Sequence, residues 1–412
     1  MRVLFVCTDG YPNSGACTSL LKNMFFEGGL RDKFECLDIM TVKHHYSEKD
    51  EENADGITIF RALAWQYIFS GEIRNNIKKY PLQMAVGILN KALILLHRKL
   101  CPKEYFNKKT LRALEKKLNG INANVYDSIV AVAGDFHVIE AVRKYTEHNK
   151  GARFVIYQVD PCFSNMTESP QTLDSRKEFE KRAYAQADII ITTPILYKEA
   201  ENNHCKNYLP QMVPMEFPNV SERNYSGLIE KKNHDGVIRC LFAGRIYSGI
   251  RDPGYTLELL QHIAMENIEI VFVGVKKEQI PEKYRGSHLK CLGVRSLEET
   301  KRLIGQADFL INIGNAMQNQ VPSKLFEYIS SGLPIINICK HEDCPSKPYL
   351  EKYPYAINLV EKHDGLEEQA QMLTSFLLKN AGKRADVKRI LQIYERCTPR
   401  YCAKQMLNAI EK

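Results

Sequence analysis

The chain has 412 residues, 44% of them hydrophobic and 26% charged, a composition that excludes an intrinsically disordered or fibrous protein. This length predicts two or three domains, each large enough for its own hydrophobic core. The formal net charge is +8, but residues 76–117 alone hold eleven Lys or Arg against two Glu, so the rest of the chain is close to neutral.

The N-terminal half has a pattern that is typical of a doubly wound α/β domain. A strand is predicted at Arg2–Cys7, followed by a loop with Gly10 and Gly15 and by a helix from near Thr18. The apolar run is too short for a signal peptide and has no cleavage site of small residues. Further strands are predicted at 34–39, 56–61, 127–133, 154–159 and 189–193, and helices over 65–118, 136–149 and 176–187.

The basic stretch 76–117 lies within the long helical region. Its apolar part, 81–101, is interrupted by Lys91 and closed by basic residues, which excludes a comfortable membrane span. An amphipathic helix on an anionic membrane surface, or a site for a phosphorylated substrate, fits this pattern. The alternative is an ordinary solvated helix face. Nucleic acid is not an expected partner, because no recognition motif accompanies the charge.

The strand and helix pattern stops in a segment rich in Pro and Asn and restarts at Gly236. We therefore predict a first domain over 1–212, a linker over 213–235 and a second domain over 236–396. A last helix, 397–412, is an option for packing against the first domain. In the second domain, strands are predicted at 237–242, 268–273, 288–292, 309–313 and 334–339, and helices at 255–265, 297–307, 323–331, 365–380 and 385–395.

This alternation predicts the fold class: two Rossmann-like doubly wound parallel-sheet domains that face each other across a cleft. Ligands of such sheets bind outside the carboxyl ends of the strands, so the cleft is the expected active site. The cysteines show no pairing pattern and no tight zinc-binding spacing, and we interpret them as free thiols. No metal site is predicted.

The segment VPSKLFEYISSGLPII, 321–336, predicts a helix that points its N-terminus at this rim. Ser323 is the expected cap, and Gly332 ends the helix. Free N–H groups at such a helix start form an anion site, and Lys324 adds a positive charge. Glu327, one turn later, could accept hydrogen bonds from vicinal hydroxyls. The alternative is a capped surface helix with Lys324 and Glu327 in solvent.

A second segment, FAGRIYSGIRDPG, follows the first strand of the same domain. Gly244 lets the backbone bend at the strand end, and Arg245 and Arg251 lie on the loop that follows. Two guanidinium groups suit a diphosphate, because arginine binds phosphate in a bidentate manner. The alternative is a surface ion pair of Arg251 with Asp252 or Glu258.

Together these segments resemble the donor-binding domain of GT-B fold glycosyltransferases, near glycosyltransferase family 4 of the bacterial polysaccharide type. The matching features are Gly244-Arg245, the basic Arg251, the run 324–328 and the glycine and proline behind it. Residues 292–313 also resemble the family's base-binding loop and helix. One departure is Asn319, where many members carry a second Glu.

The resemblance implies a role for each matched residue. Arg245, Arg251 and Lys324 would neutralise the diphosphate of a nucleotide-sugar donor and stabilise its departure, without a metal or another cofactor. Glu327 would bind the ribose hydroxyls. The donor-binding residues that it implies are Gly244, Gly293, Val294, Ser323, Lys324 and Glu327.

Candidates in the N-terminal half rest on their position after predicted strands. Gly15 lies in the loop after the first strand, where its backbone could approach the donor. His137 and Asp160 each follow a buried strand and are predicted to act on the sugar or the acceptor. The alternatives are a structural histidine and a helix-capping aspartate.

These features predict a hexosyltransferase-type glycosyltransferase that transfers a sugar from a nucleotide-diphosphate donor to a glycan or lipid-linked acceptor in surface polysaccharide assembly. We expect it in the cytoplasm, with residues 76–117 as a contact to the inner face of the membrane. Two alternatives stay open: a sugar-nucleotide epimerase with the same fold, and a non-catalytic subunit that binds the nucleotide sugar.

Overall fold

The computed structural model divides the chain into two compact units, residues 1–218 with 399–412 and residues 219–398. It describes all residues except 13–14, 70–72, 74–75, 77, 101–107, 122–124, 134, 162–169, 223–235, 248, 264, 287 and 363. The segment 223–235, most of the predicted linker, therefore lies outside the described residues, as does part of the basic stretch 76–117. The ten described cysteines are free thiols.

The first unit is built on an eight-stranded sheet. Its strands are β1 (Arg2–Val6), β2 (Cys36–Val42), β3 (Glu51–Ala54), β4 (Ile57–Ala62), β5 (Ser128–Ala133), β6 (Arg153–Gln158), β7 (Ile189–Thr192) and β8 (Met212–Pro214). They lie in the order β3-β4-β2-β1-β5-β6-β7-β8, and all pairs are parallel except β3 with β4. Strands such as β5 are buried along their whole length, which is typical of a sheet covered on both faces.

Helices connect these strands and cover the sheet. They are α1 (Ala16–Lys22), α2 (Trp65–Ile68), α3 (Pro81–Leu100), α4 (Lys108–Gly120), α5 (Phe136–His148), α6 (Pro170–Gln186) and α7 (Pro194–Ala200). Among the helices of the described part of the chain, none is both long enough and apolar enough to cross a membrane.

Two local predictions for this unit were wrong. The helical region predicted over 65–118 is interrupted before α3, which begins at Pro81, a residue that lacks the amide that a continuing helix needs. The edge strand β3 was missed. It forms a hairpin with β4 through Asp55 and Gly56, which both have positive φ (54° and 73°), as a tight hairpin turn requires.

The second unit is built on a six-stranded sheet that is parallel throughout. Its strands are β9 (Ile238–Ala243), β10 (Ile268–Val273), β11 (Leu289–Gly293), β12 (Phe309–Ile313), β13 (Ile335–Cys339) and β14 (Ala356–Val360). They lie in the order β11-β10-β9-β12-β13-β14. The edge strand β14 was not predicted from the sequence. It is only partly buried, although its sequence, AINLV, is as apolar as that of the inner strand β12, FLINI.

The helices of the second unit are α8 (Gly254–Gln261), α9 (Leu297–Gln306), α10 (Lys324–Ser331), α11 (Lys347–Leu350), α12 (Leu366–Asn380) and α13 (Val387–Ile393). The chain ends with α14 (Pro399–Glu411), which belongs to the first unit. There Arg153 Nη1 donates to the carbonyl of Ile410 at 2.9 Å. The predicted fold class of two Rossmann-like parallel-sheet domains is confirmed.

Candidate functional site

The order of strands in the second unit creates a switch point between β9 and β12. The chain runs from β9 outward through β10 to β11 and then returns to the other side of β9 with β12. The connections after β9 and β12 therefore leave their carboxyl ends in opposite directions, and the space between them is where doubly wound sheets bind ligands. The loop with Arg245 and Arg251 follows β9, and Asn315 follows β12.

Arg251 bridges the two loops at this switch point. Its Nε and Nη2 donate to Asn315 Oδ1 at 3.1 and 2.8 Å, and its Nη1 lies 3.5 Å from the carbonyl of Arg245. Asn315 in turn donates from Nδ2 to Gln320 Oε1 at 2.9 Å. The predicted alternative for Arg251, an ion pair with Asp252 or Glu258, is absent among the described residues. The guanidinium is therefore fixed by neutral groups.

The charge of Arg251 is only partly compensated. The side chain is half-buried, and burial lowers the pKa of its guanidinium below the usual value, although two tyrosines oppose this shift. No carboxylate within salt-bridge distance of it is found in the described part of the chain. A desolvated cation without an anionic partner is unfavourable, and an anionic ligand would offset that cost. Arg245, on the same loop, is exposed.

Helix α10 starts differently from the prediction. Ser323 occupies the cap position but has helical dihedral angles, and its hydroxyl makes no capping hydrogen bond. The amides of Leu325 and Phe326 donate to the carbonyls of Pro322 and Ser323 at 3.0 and 3.3 Å. Two N–H groups of the first turn are thus used within the turn itself, so this end of α10 offers fewer free donors than a capped helix would.

Lys324 and Glu327 form an ion pair across the first turn of α10. Lys324 Nζ lies 2.7 Å from Glu327 Oε2, and the side chains are 33% and 19% exposed. The pair matches part of the alternative interpretation, in which both residues belong to a surface helix. It also keeps a cation and a hydrogen-bond acceptor together at the start of α10, and neither is deeply buried.

Tyr328 attaches α10 to the carboxyl end of β9. Its hydroxyl accepts from the amide of Ala243 at 2.8 Å and donates to the carbonyl of the same residue at 3.1 Å. Ala243 immediately precedes Gly244 and Arg245, and the charge of Arg251 acts on Tyr328. The structure therefore connects the start of α10 and the arginine loop through direct contacts within one unit.

The Tyr328 contact yields a stability prediction. Tyr328→Phe removes a fully buried hydroxyl and leaves the amide and carbonyl of Ala243 without that partner. We expect the free energy of unfolding to fall by about 1–3 kcal/mol, measured by urea denaturation. Tyr247 provides the control, because this residue is 47% exposed and Tyr247→Phe removes no fully buried hydroxyl. Equal effects of the two substitutions would contradict the assignment.

Glycines allow the ends of neighbouring strands to lie close together beside the loop with Arg245 and Arg251. Gly274, after β10, has φ +85°, and a Cβ built on it would lie 2.5 Å from the carbonyl oxygen of Gly244. Gly244 itself donates its amide to Val273 at 3.0 Å, and Gly274 donates to Gly293 at 2.8 Å. The chain thus passes close to itself at three neighbouring strand ends. Any side chain at Gly274 would push the arginine loop away.

Gly293 and Val294 lie at the end of β11, two strands from β9. Gly293 has φ +68°, and the side chain of Val294 is 72% exposed. Val294 thus exposes an apolar side chain on the same edge of the sheet as Arg251. This placement is compatible with the nucleobase role that the sequence resemblance implies.

The first unit has its own switch point, between β1 and β5, where Gly15 lies. Gly15 has φ +121°, and a Cβ on it would lie 2.1 Å from Asp9 Oδ2. Asp9 accepts the amide of Thr18 at 3.1 Å, and burial raises the pKa of the Asp9 carboxyl despite this bond. The requirement for glycine at position 15 therefore comes from Asp9, a residue that sequence analysis missed.

The two catalytic candidates of this unit have different surroundings. His137 is buried, and its Nδ1 is hydrogen-bonded to Asp135, which also caps α5 by accepting the amide of His137 at 3.0 Å. Asp160, after β6, is half-buried. Burial raises the pKa of the Cys17 thiol, and the charges of Asp9 and Asp160 raise it further, so both carboxylates lie near the start of α1. Asp160 therefore lies near the Gly15 loop. His137 lies in the first turn of α5, where its side chain is hydrogen-bonded to Asp135.

Asp135 gives a pH prediction. Burial opposes its ionisation, but hydrogen bonds and charge from His137, with the Tyr67 hydroxyl, outweigh burial and lower the pKa of the Asp135 carboxyl. A carboxyl with a lowered folded-state pKa stabilises the fold above its unfolded pKa of about 3.9, and this stabilisation is lost as the pH falls through the folded-state value.

Asp135→Asn keeps a capping acceptor but cannot ionise. Urea midpoints should therefore differ between Asp135→Asn and the unchanged protein by a constant amount above about pH 4, and this difference should close at lower pH. A difference that widens on acidification would contradict the assignment.

Three residues that organise these sites were not found from the sequence. Asn315 and Gln320 position Arg251 from the β12 side, and Tyr328 holds α10 to β9. Tyr328 lay within the quoted helix motif, but only its contact with a strand 85 positions earlier reveals its role. Asn315 follows a predicted strand directly, and that position was the available signal.

Neither a protein-family model nor a curated protein sequence matches the chain. Comparison with solved structures, in contrast, finds proteins that share its fold over the full length. An α,α-trehalose-phosphate synthase (UDP-forming) from Burkholderia vietnamiensis is 10% identical, with a TM-score of 0.62 and full coverage of both chains.

Two other solved structures show the same agreement. The lipopolysaccharide outer core galactosyltransferase WaaB, in its apo form, is 14% identical with a TM-score of 0.56 and covers 100% of this chain and 99% of its own. An α-glucosyltransferase in complex with UDP is 12% identical with a TM-score of 0.54 and full coverage of both chains. At such low identity, the likeness establishes the shared two-domain α/β fold.

Proposed function

We propose that this protein is a glycosyltransferase that transfers a sugar from a nucleotide-diphosphate donor to a glycan or lipid-linked acceptor. The transfer would be independent of metal ions, and it would serve surface polysaccharide assembly at the cytoplasmic face of a membrane. The solved structures with the same fold include a galactosyltransferase of lipopolysaccharide, which supports sugar transfer, and a glucosyltransferase with bound UDP, which supports a nucleotide-sugar donor.

Arg251 is the observation that carries this proposal. Its guanidinium lies at the switch point of the second sheet, is fixed by Asn315 and has no carboxylate partner among the described residues. A desolvated arginine of this kind is prepared for an anion, and a diphosphate provides two oxygens in the geometry of its fork.

Charge development explains how such a site would act. Glycosyl transfer generates negative charge on the departing diphosphate and positive charge at the anomeric carbon. Cations that are fixed before the reaction stabilise the leaving group as its charge grows. Arg251 would provide the fixed positive charge, and Arg245 and Lys324 would add two more exposed positive charges. When the donor binds, Glu327 would leave its ion pair with Lys324 and accept hydrogen bonds from the ribose hydroxyls instead.

The acceptor would meet the first unit. Asp9 and Asp160 lie near the start of α1, and Asp9 holds the Gly15 loop in place. The pKa of the Asp9 carboxyl is raised by burial, which favours a group that can take up a proton from an attacking hydroxyl. His137 would act from its position beside Asp135 at the start of α5.

A donor screen tests the proposal directly. In a thermal-shift screen, the nucleoside diphosphates and nucleotide sugars of one base should raise the melting temperature of the protein. The nucleotide sugar that does so should then serve as the donor for sugar transfer to an acceptor extract. Arg251→Ala should abolish the shift, whereas Arg389→Ala on the exposed face of α13 should preserve it.

Other outcomes of the screen would point to other functions. Isomerisation of the donor without any acceptor would indicate an epimerase. Donor binding with neither transfer nor hydrolysis would indicate a non-catalytic subunit. Absence of any stabilisation across all nucleotides would refute a nucleotide-sugar site.

Helix α3 supports the proposed membrane contact. Six apolar residues recur along it every three or four positions, and each is more than half exposed. This spacing places them on one face of the helix, and basic residues follow in the sequence. The stripe consists of Leu82, Val86, Leu89, Leu93, Leu96 and Leu100.

Liposome flotation tests the membrane contact. The double substitution Leu89→Asp with Leu93→Asp places two charges in the stripe and should eliminate flotation with anionic vesicles at low salt. Gln83→Asp, on an exposed position of the same helix outside the stripe, should retain most of it. Binding should fall as salt increases, because screening weakens the attraction to anionic lipid. Equal flotation of all three proteins would contradict the assignment.

A further inference from the structure

The first unit contains a buried cluster of three metal-ligand side chains that the proposed transfer reaction does not use. Glu180 comes from α6, and His204 and Cys205 come from the turn after α7. Their ligand atoms all lie within 4.8 Å of one another. Glu180 Oε2 is 2.7 Å from His204 Nε2 and 3.4 Å from Cys205 Sγ, so one carboxylate oxygen is shared by both neighbours.

The other carboxylate oxygen of Glu180, Oε1, accepts a hydrogen bond from a neighbouring side chain. Gln158, at the end of β6, donates Nε2 to Glu180 Oε1 at 3.2 Å, and the Tyr184 hydroxyl donates to Gln158 Oε1 at 2.7 Å. Metal-binding carboxylates characteristically have such supporting hydrogen bonds, which orient the free oxygen toward the ion. On the opposite side, Asn203 Oδ1 accepts the amide of Cys205 at 2.7 Å and fixes the turn.

A small cavity lies beside the cluster. Its volume is about 10 Å³, comparable with the space that one water molecule or one small ion occupies by the same measure. Glu180, Cys205, Gln158 and Thr192 are among the residues that line it. Thr192 is 2% exposed, and its buried hydroxyl has no hydrogen-bond partner in the described part of the chain. A water bound to an ion in the cavity would give it one.

We propose that Glu180, His204 and Cys205 bind a divalent transition-metal ion, with zinc as the preferred ion and a water as the fourth ligand. One thiolate, one imidazole and one carboxylate are ligands that zinc accepts in tetrahedral geometry. Tetrahedral bonds of about 2.0–2.3 Å separate ligand atoms by about 3.3–3.7 Å. The sulfur-to-oxygen distance of 3.4 Å already fits, and the His204 contact needs to open by about 1 Å.

Charge also favours this ion. A divalent cation balances one thiolate and one carboxylate, so the buried site would be neutral overall. Cys205 gives up its S–H proton to solvent when the sulfur–metal bond forms. Because the metal binds a thiolate and a neutral imidazole, binding releases protons and should strengthen as the pH rises. The ion would tie α6 to the turn that leads into β8 and would stabilise the first unit.

Cobalt binding tests the proposal on the full chain, independently of any transferase activity. Metal-free protein titrated with Co²⁺ should develop a thiolate-to-cobalt absorption band that saturates at one ion per chain and is displaced by Zn²⁺. Cys205→Ser should lose the band, whereas Cys344→Ser, a change of another buried cysteine in the second unit, should retain it. Zinc should raise the melting temperature of the unchanged protein and not that of Cys205→Ser.

Two further variants keep the test decisive if Cys205→Ser does not fold. His204→Gln changes a half-buried side chain, and Glu180→Gln keeps the shape of its residue. Each should weaken cobalt binding at least about tenfold. A band that persists in Cys205→Ser would mean an adventitious metal only. The absence of any thiolate band would contradict the proposal. Either result would leave Glu180, His204 and Cys205 as a hydrogen-bonded triad.

Discussion

Arg251→Ala is expected to lower turnover by about 10²–10³-fold, or about 2.7–4 kcal/mol of barrier, because it removes one preorganised donor to a developing anion. The substitution removes the half-buried guanidinium from the switch point of the second sheet. It also frees Asn315 Oδ1, which accepts two hydrogen bonds from Arg251 at 3.1 and 2.8 Å. The effect should appear in kcat measured with the donor that the thermal screen identifies.

Two companion variants separate charge from geometry. Arg251→Lys keeps the positive charge but loses the planar fork, so it should recover only part of the rate. Arg389→Ala should behave as the unchanged protein, since Arg389 lies on the exposed side of α13. Circular dichroism and urea melts should show that Arg251→Ala folds normally. Near-normal turnover of a folded Arg251→Ala protein would remove the basis of the proposed mechanism.

Arg143→Ala is expected to produce the largest loss of stability. Arg143 and Glu140, on α5, form a bidentate pair with Nε–Oε2 and Nη2–Oε1 distances of 2.8 and 3.1 Å. Their side chains are only 8% and 7% exposed. Arg143 also donates to Glu147 and to Gln186 on α6. Removal of the cation leaves a buried carboxylate unpaired, which typically costs about 3–5 kcal/mol of unfolding free energy.

A double substitution distinguishes a buried pair from a general packing defect. Glu140→Leu with Arg143→Met replaces both charges by apolar groups of similar size, and buried pairs replaced in this way are often neutral or stabilising. The double variant should therefore unfold at higher urea concentration than Arg143→Ala alone. Lys181→Ala breaks a surface pair with Glu178 on α6, whose side chains are 41% and 70% exposed, and should leave the urea midpoint unchanged. A smaller loss in Arg143→Ala than in the double variant would contradict the assignment.

The inner strands of both sheets could be predicted because each has a continuous run of apolar residues in its own sequence. Runs such as 128–133 and 309–313 are buried from end to end, and their sequences are correspondingly apolar. The edge strand β3 could not be found in this way, because its partly exposed residues are mostly polar. Strand β14, in contrast, is as apolar as β12 and was missed although its local signal was present. For β3, the remaining signal was the Asp55-Gly56 turn.

The candidate site was predicted only as far as position in the chain allows. Residues after strand ends, such as Arg245, Arg251 and Asn315, converge because parallel strands share a carboxyl edge. Which of them touch depends on side-chain contacts between segments far apart in the sequence. The Arg251–Asn315 bond spans 64 positions, and the Ala243–Tyr328 bond spans 85. The use of Leu325 and Phe326 amides within the first turn of α10 is a backbone detail that the motif does not encode.

The contact between Gly274 and Gly244 has a consequence for how this protein tolerates change. Position 274 belongs to the connection after β10, and a methyl group there would collide with the backbone just before Arg245. A mutational screen for lost activity should therefore recover Gly274 alongside the charged residues, although it presents no side chain to any substrate. Conversely, second-site changes that shorten or loosen the arginine loop are the natural suppressors of such a variant.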